Sequence, residues 1–137
     1  MRLSRSRMID PSALIRLYDA VGWSTYTSRP ENFGPMVENS WLVVSAWADG
    51  ELVGLARVVG DGATVAYIQD LLVDPGHQLR GIGRALLAEV LAETAHIRQT
   101  YITTDDAARN AHVLALYRSL GFRPTPDLGC TTLAIMR

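Results

Sequence analysis

The chain has 137 residues, 48% of them hydrophobic and 20% charged, a size and balance that fit one soluble domain, 1–137, with a single sizeable core. Thirteen basic against fourteen acidic residues leave a net charge of −1, a bulk charge that argues against a general nucleic-acid binder and leaves room only for a local basic patch. All 13 basic residues are arginine, so the chain offers no lysine of its own for modification, and no apolar run approaches the ~20 residues of a membrane span.

The start, Met1-Arg2-Leu3-Ser4-Arg5-Ser6-Arg7, is basic but precedes no apolar run, so it does not read as a secretory signal. Asp10 and Pro11 suit a helix cap and the first helical position. Leu14, Leu17, Tyr18 and Val21 then recur on one face, and Gly22 closes a helix over 11–21. Residues 23–31 mix polar and aromatic types and read as a loop, and 33–39 fits a short second helix.

From residue 41 the period becomes that of strands. Residues 41–48 form one, Asp49-Gly50 is a hairpin signal, 52–59 form the next, Gly60-Asp61-Gly62 is another turn, and 64–73 form a third. These predict an antiparallel meander. The third strand is apolar through Leu71-Leu72-Val73, as a central strand buried on both faces would be. A helix over 84–95 points Ala85, Leu86, Val90 and Leu91 inward, and a strand over 99–104 after that crossing is expected to lie parallel to its neighbour. Asp105-Asp106 reads as a turn and 110–120 as a helix closed by Gly121. Pro124 and Pro126 then break the chain, and 131–136 read as a final edge strand. A single cysteine, Cys130, rules out an internal disulfide and suits a reducing, cytoplasmic setting.

The segment Gln78-Leu79-Arg80-Gly81-Ile82-Gly83 carries the chemistry. It follows the third strand and the turn Asp74-Pro75-Gly76, and it opens a helix. Backbone N–H groups at such an end have no intrahelical partner, and the helix dipole adds positive potential. That combination receives a phosphate. Gly81 and Gly83 allow close approach to the backbone, and Arg80 and Arg84 add positive charge. A Gly-x-Gly before a helix is also a common tight turn. The Lys-Ser/Thr of a P-loop and the third glycine of a dinucleotide fingerprint are both absent here.

The whole string, Gln-x-x-Gly-x-Gly after a strand ending Leu71-Leu72-Val73-Asp74-Pro75, resembles the acyl-CoA-binding motif of the GNAT family of N-acetyltransferases. A second stretch, Asn110 followed by Leu116-Tyr117-Arg118-Ser119-Leu120-Gly121-Phe122, resembles that family's closing helix. The two come in the family's order and separation, and the resemblance spans about residues 41 to 123. Gly76-His77 departs from the family's more common acidic-aromatic pair. Thr103-Thr104-Asp105-Asp106 departs from the commoner ending of the fifth strand, which leaves the general base open.

The resemblance implies an α+β fold of GNAT type: a mixed, mostly antiparallel central sheet of about six to seven strands, helices on both faces, and a splayed acyl-CoA cleft. It implies acetyl-CoA as co-substrate and no metal. Backbone groups of Leu71, Leu72 and Val73 are expected to meet the pantetheine arm. The N–H groups of Leu79, Arg80, Gly81, Ile82, Gly83 and Arg84 are expected to meet the pyrophosphate. Asn110 takes the family position that touches the cofactor arm, and reads equally as a plain N-cap. Tyr117 takes the position of the general acid that protonates the leaving thiolate, and reads also as an aromatic on the helix's core face. Asp105 takes a base position found in some relatives, and reads also as a solvated turn; Asp70 and a water chain are the alternatives. Trp23, Tyr26, Phe33 and Trp41 are candidates for an aromatic acceptor pocket, with Glu31 or Glu38 to attract a cation. The expected partner is an amine, from a small molecule or a protein, with a second subunit of a homodimer free to complete the pocket. Nucleic acid and membrane are not expected partners. The rival reading is a non-catalytic acyl-CoA-binding sensor or interaction module.

Overall fold

Strand pairing organises most of this chain. The computed structural model describes residues 1–105 and 107–137. Five strands, β1 (Arg2–Ser4), β2 (Leu42–Ala48), β3 (Glu51–Gly60), β4 (Val65–Val73) and β5 (Gln99–Ile102), lie side by side in chain order. The first four run antiparallel, and β5 runs parallel to β4, as a strand–helix–strand crossing requires. Two bulges interrupt the ladders, one across Ala46/Trp47 and one across Arg57/Val58. The chain divides into two compact units, Met1–Thr103 and Thr104–Arg137.

In the first unit, α1 (Pro11–Ala20) starts where the sequence placed it: Asp10 Oδ1 accepts the Ser12 N–H at 3.0 Å, and Pro11 sits in the first turn. Its buried face, Leu14, Leu17 and Tyr18, packs with Phe33 and Val37 of α3 (Phe33–Glu38) and with Val43, Leu55 and Leu72 of the sheet. Burial of each such side chain is worth about 1.5–3 kcal/mol. α4 (Ile82–Glu93) covers the other face. Gly54 is the contact point: a Cβ there would lie 3.1 Å from both Ile82 Cγ2 and Leu86 Cδ1. Gly54 and Leu55 alternate across β3, so one looks to α4 and the other to α1.

The second unit holds α5 (Ala107–Ser119), kinked where Asn110 takes φ −140° and ψ 27°. Gly121, at φ +100°, ends the helical stretch, and the Tyr117 and Phe122 rings lie 6.0 Å apart. A 3₁₀ turn at Thr125–Leu128 follows.

Three expectations need correction. The sheet has five strands among the described residues, fewer than the six to seven expected. An extended segment becomes a strand only where a neighbour's backbone meets its N–H and C=O groups. Residues 131–136 have no such pairing among the described residues and are exposed throughout. The basic start contributes β1, too short at three residues to show a period. The expected loop over 23–31 contains α2 (Ser24–Thr27) and a 3₁₀ turn at Pro30–Asn32.

Candidate active site

The open edge of β4 is the first element of the site. Pairing with β5 runs from Val65↔Gln99 to Ile68↔Ile102 and stops there, while pairing with β3 continues to Gly54↔Val73. Residues 69–73 therefore keep one hydrogen-bonded edge and present the other without a β5 partner. Leu72 is buried and Leu71 and Val73 are half-buried. The Asp74 N–H donates to Val53 O of β3 at 2.8 Å, so by alternation the backbone of Leu72 also faces β3, against the expectation for that residue, while the backbone groups of Leu71 and Val73 face the open edge. One carbonyl is already taken: Gln78 Nε2 donates to Val73 O at 3.2 Å.

The second element follows directly. Asp74 Oδ1 accepts the Gly76 N–H at 2.8 Å and fixes a single 3₁₀ turn. Leu79 then adopts φ +62° with its side chain 98% exposed, and Gly81 adopts φ +80° as the N-cap of α4. A bulky residue in the left-handed region is uncommon, so the turn is shaped by something other than Leu79's own preference. No side chain caps this helix end, and a Cβ on Gly81 would meet nothing within 4 Å. Ile82 is buried and anchors the turn, whereas Arg80 and Arg84 are exposed. The uncapped N–H groups and the helix dipole suit an anion. The six residues from Leu79 to Arg84 thus lie together, next to the end of β4. A Cβ on Gly83 would be 3.8 Å from Val73 Cγ2.

Beside the open edge lies a buried charge network. Arg57 Nε donates to Asp70 Oδ2 at 2.7 Å, Tyr18 Oη donates to the same oxygen at 2.7 Å, and Tyr26 Oη donates to Asp70 Oδ1 at 2.7 Å. Burial depresses the Arg57 guanidinium, but the Asp70 carboxylate reverses this and leaves its pKa above the usual arginine value. Burial, reinforced by the Asp70 charge, holds the Tyr18 hydroxyl well above the usual tyrosine range, and burial raises Tyr26 as well. With both oxygens occupied by donors and 2% of the residue exposed, Asp70 is a structural anion and a poor candidate for the base.

Strict alternation would send Gln69 and Asp70 to opposite faces. The bulge changes this: Arg57 pairs with Asp70 and Val58 with Ile68, so Gln69 is the extra residue. Gln69 Nε2 donates to Tyr26 Oη at 3.1 Å, the hydroxyl that Asp70 also holds. Tyr18, Trp23, Tyr26 and Phe33 form one aromatic group, with Tyr18 5.0 Å from Tyr26 and Trp23 stacked on Tyr26 at 6.0 Å. Trp41 does not join it; its ring packs 6.4 Å from His96. Sequence reasoning missed Tyr18 and Arg57 as partners of Asp70. The signal was present as one charged residue in each of two apolar strands, LVGLARVVG and IQDLLV.

In the second unit, Asn110 and Tyr117 gather on one hydroxyl. Asn110 Nδ2 donates to Thr104 Oγ1 at 2.7 Å. This is a reach back to the preceding segment, made from the kink, and not an N-cap bond. Tyr117 is 6% exposed. Burial pushes its hydroxyl up to about 12, against a smaller opposing effect of a hydrogen bond from Thr104. Asp105 is exposed, and Asp106 lies outside the described residues.

The sequence model of the Acetyltransferase (GNAT) family matches residues 11–122. A histone acetyltransferase of Glycine max is 31% identical over 131 residues, covering 87% of this chain and 54% of that protein; the chain thus spans about half the length of this relative. The structure is similar to a GNAT family acetyltransferase from Streptococcus pneumoniae, with a TM-score of 0.85, 29% identity, and coverage of 99% of this chain and 97% of that one. An aminoglycoside 6'-N-acetyltransferase complexed with coenzyme A shares the fold at a TM-score of 0.66 and 24% identity, covering 77% of this chain and 63% of that one.

Proposed function

The chain belongs to the Acetyltransferase (GNAT) family, and from that premise we propose that it transfers an acetyl group from acetyl-CoA directly to a primary amine. The observation that carries this reading is the unpaired edge of β4 over 69–73 running into the uncapped, left-handed start of α4 at Gly81. The two amides of a pantetheine arm complement an open strand edge. The pyrophosphate complements the N–H groups of Leu79, Arg80, Gly81, Ile82, Gly83 and Arg84. Both features occur within one stretch of chain, in the order the ligand's own parts require.

The amine must first lose the proton of its ammonium form, to Asp105 or to water. Its nitrogen then attacks the thioester carbonyl, whose oxygen gains charge that an outward backbone N–H of the open edge, such as that of Leu71, stabilises. As the carbon–sulfur bond breaks, the nitrogen gives up its second proton to solvent and becomes the amide, and the thiolate takes a proton from Tyr117, which is reprotonated from solvent. A hydroxyl held at about 12 keeps its proton at neutral pH. Asn110, fixed on Thr104, stands on the same helix as Tyr117 and takes the cofactor-arm role. The reaction uses acetyl-CoA as co-substrate and calls on no metal.

Thermal melting with acetyl-CoA, CoA and ATP, paired with a thiol-release assay over several primary amines, tests this. Binding to the native state raises the melting temperature by mass action. A rise with acetyl-CoA and amine-dependent release of CoA are expected. A rise without release under any amine would point to the non-catalytic acyl-CoA sensor, and no rise with either CoA species would remove the cofactor assignment.

A further inference from the structure

We infer that Gln69 is a specificity-determining contact for the acceptor amine, with its carbonyl oxygen Oε1 receiving an amine N–H; this rests on the amine-transfer reading above. Hydrogen-bond valence fixes the direction of each contact. Asp70 is a carboxylate and only accepts. Tyr26 has one hydroxyl hydrogen, and it goes to Asp70 Oδ1 at 2.7 Å. Toward Gln69 the same hydroxyl can therefore only accept, so the group facing it must be the amide NH₂, 3.1 Å away. The orientation of the Gln69 amide is thereby decided by Asp70, two hydrogen bonds distant, and Oε1 is turned away from Tyr26. Arg57 and Tyr18 hold Asp70 in place on its other oxygen, so the chain from Arg57 to Gln69 acts as one positioned unit.

Its location gives the oriented oxygen a use. Gln69 is the bulged residue of β4 and the first beyond the last pair with β5, Ile68↔Ile102. It thus stands where the two strands part, two residues before Leu71 on the open edge. Its side chain is exposed, and Trp23 stacked on Tyr26 forms an aromatic wall next to it. An exposed acceptor oxygen with a fixed direction, beside aromatic faces, suits a group that donates N–H bonds and carries positive charge before transfer. A neutral hydroxyl acceptor would use only one of these features. Tyr26, Asp70 and Arg57 are positioning residues that act through Gln69.

The test uses the full chain with spermidine, tryptamine, kanamycin and a lysine-containing peptide as amines, and follows whichever is acetylated fastest. Gln69→Leu keeps the size of the side chain and removes the acceptor oxygen. It is expected to raise the KM for the amine at least ~10-fold, while the KM for acetyl-CoA stays within about twofold. Tyr26→Phe keeps the ring, frees the amide to turn, and is expected to raise the amine KM about threefold without a change for acetyl-CoA. An unchanged amine KM in Gln69→Leu, or a loss confined to melting temperature, would overturn the assignment while leaving acetyl transfer intact. A wild-type chain that melts higher with acetyl-CoA yet acetylates none of the four amines would overturn the transfer reading, and the role of Gln69 with it.

Discussion

Arg57 and Asp70 sit opposite each other on neighbouring strands with Nε 2.7 Å from Oδ2, and their side chains are only 9% and 1% exposed. A charge pair this deep loses its hydration, and what compensates is the pair itself plus the two tyrosine hydroxyls on the carboxylate. It ties α1 and α2 to β4 at the point where β4 leaves β5.

Removing one charge strands the other. Asp70→Asn is expected to lower stability by roughly 3–5 kcal/mol, because Arg57 remains charged without its counter-ion. Adding Arg57→Met should recover much of that loss, since the asparagine oxygen still accepts from a tyrosine. Urea denaturation of the two single variants and the double variant measures this as a coupling energy; equal stability of Asp70→Asn and wild type would contradict it.

The start of α4 separates strain from binding. Gly81→Ala places a Cβ at φ +80° with open space around it. It should therefore cost only about 1–2 kcal/mol of backbone strain. Acetyl-CoA affinity should fall more, about 10-fold or beyond, because the methyl group stands where a phosphate oxygen would approach the backbone. Leu79→Gly relieves the same kind of strain at φ +62° and should leave affinity within about threefold. Calorimetric titration with acetyl-CoA, read beside thermal melts, distinguishes the two effects.

Tyr117→Phe is expected to reduce kcat by about 10²-fold or more with little change in the KM for acetyl-CoA, the pattern for loss of a proton donor used only in the transition state. Steady-state kinetics of thiol release with the best amine reads it directly. A drop in acetyl-CoA affinity at unchanged kcat would reassign Tyr117 to packing.

The same hydroxyl makes a prediction about alkaline stability. Its folded pKa, about 12, lies above its ordinary value of 10.0, so the folded state binds more protons than the unfolded state between these values. The stability it contributes is complete below pH 10 and is lost as pH rises toward 12, at most about 1.4 kcal/mol per pH unit. Tyr18 and Tyr26 are raised too and act with the same sign. Urea midpoints measured across this window should fall steadily, and the fall should be shallower in Tyr117→Phe.

Local pattern makes much of this protein legible in its sequence. The Asp10-Pro11 start of α1, the turns at Asp49-Gly50 and Gly60-Asp61-Gly62, the meander and the glycine loop at Gly81 all express short-range rules of capping, periodicity and backbone freedom. Each of these depends on residues within a few positions of one another. Other features depend on register between strands, which neighbours in sequence do not set. Arg57 meets Asp70 thirteen residues away, and Tyr26 meets it across forty-four. The bulge that makes Gln69 the extra residue exists only in the β3–β4 ladder. The sequence by itself determined most of the helices and strands and the glycine turn that opens α4. Tertiary structure alone decided where β4 leaves β5, how many strands find a partner, and that Gln69 and Asp70 converge on one tyrosine, because hydrogen bonds between distant segments form only once those segments are aligned.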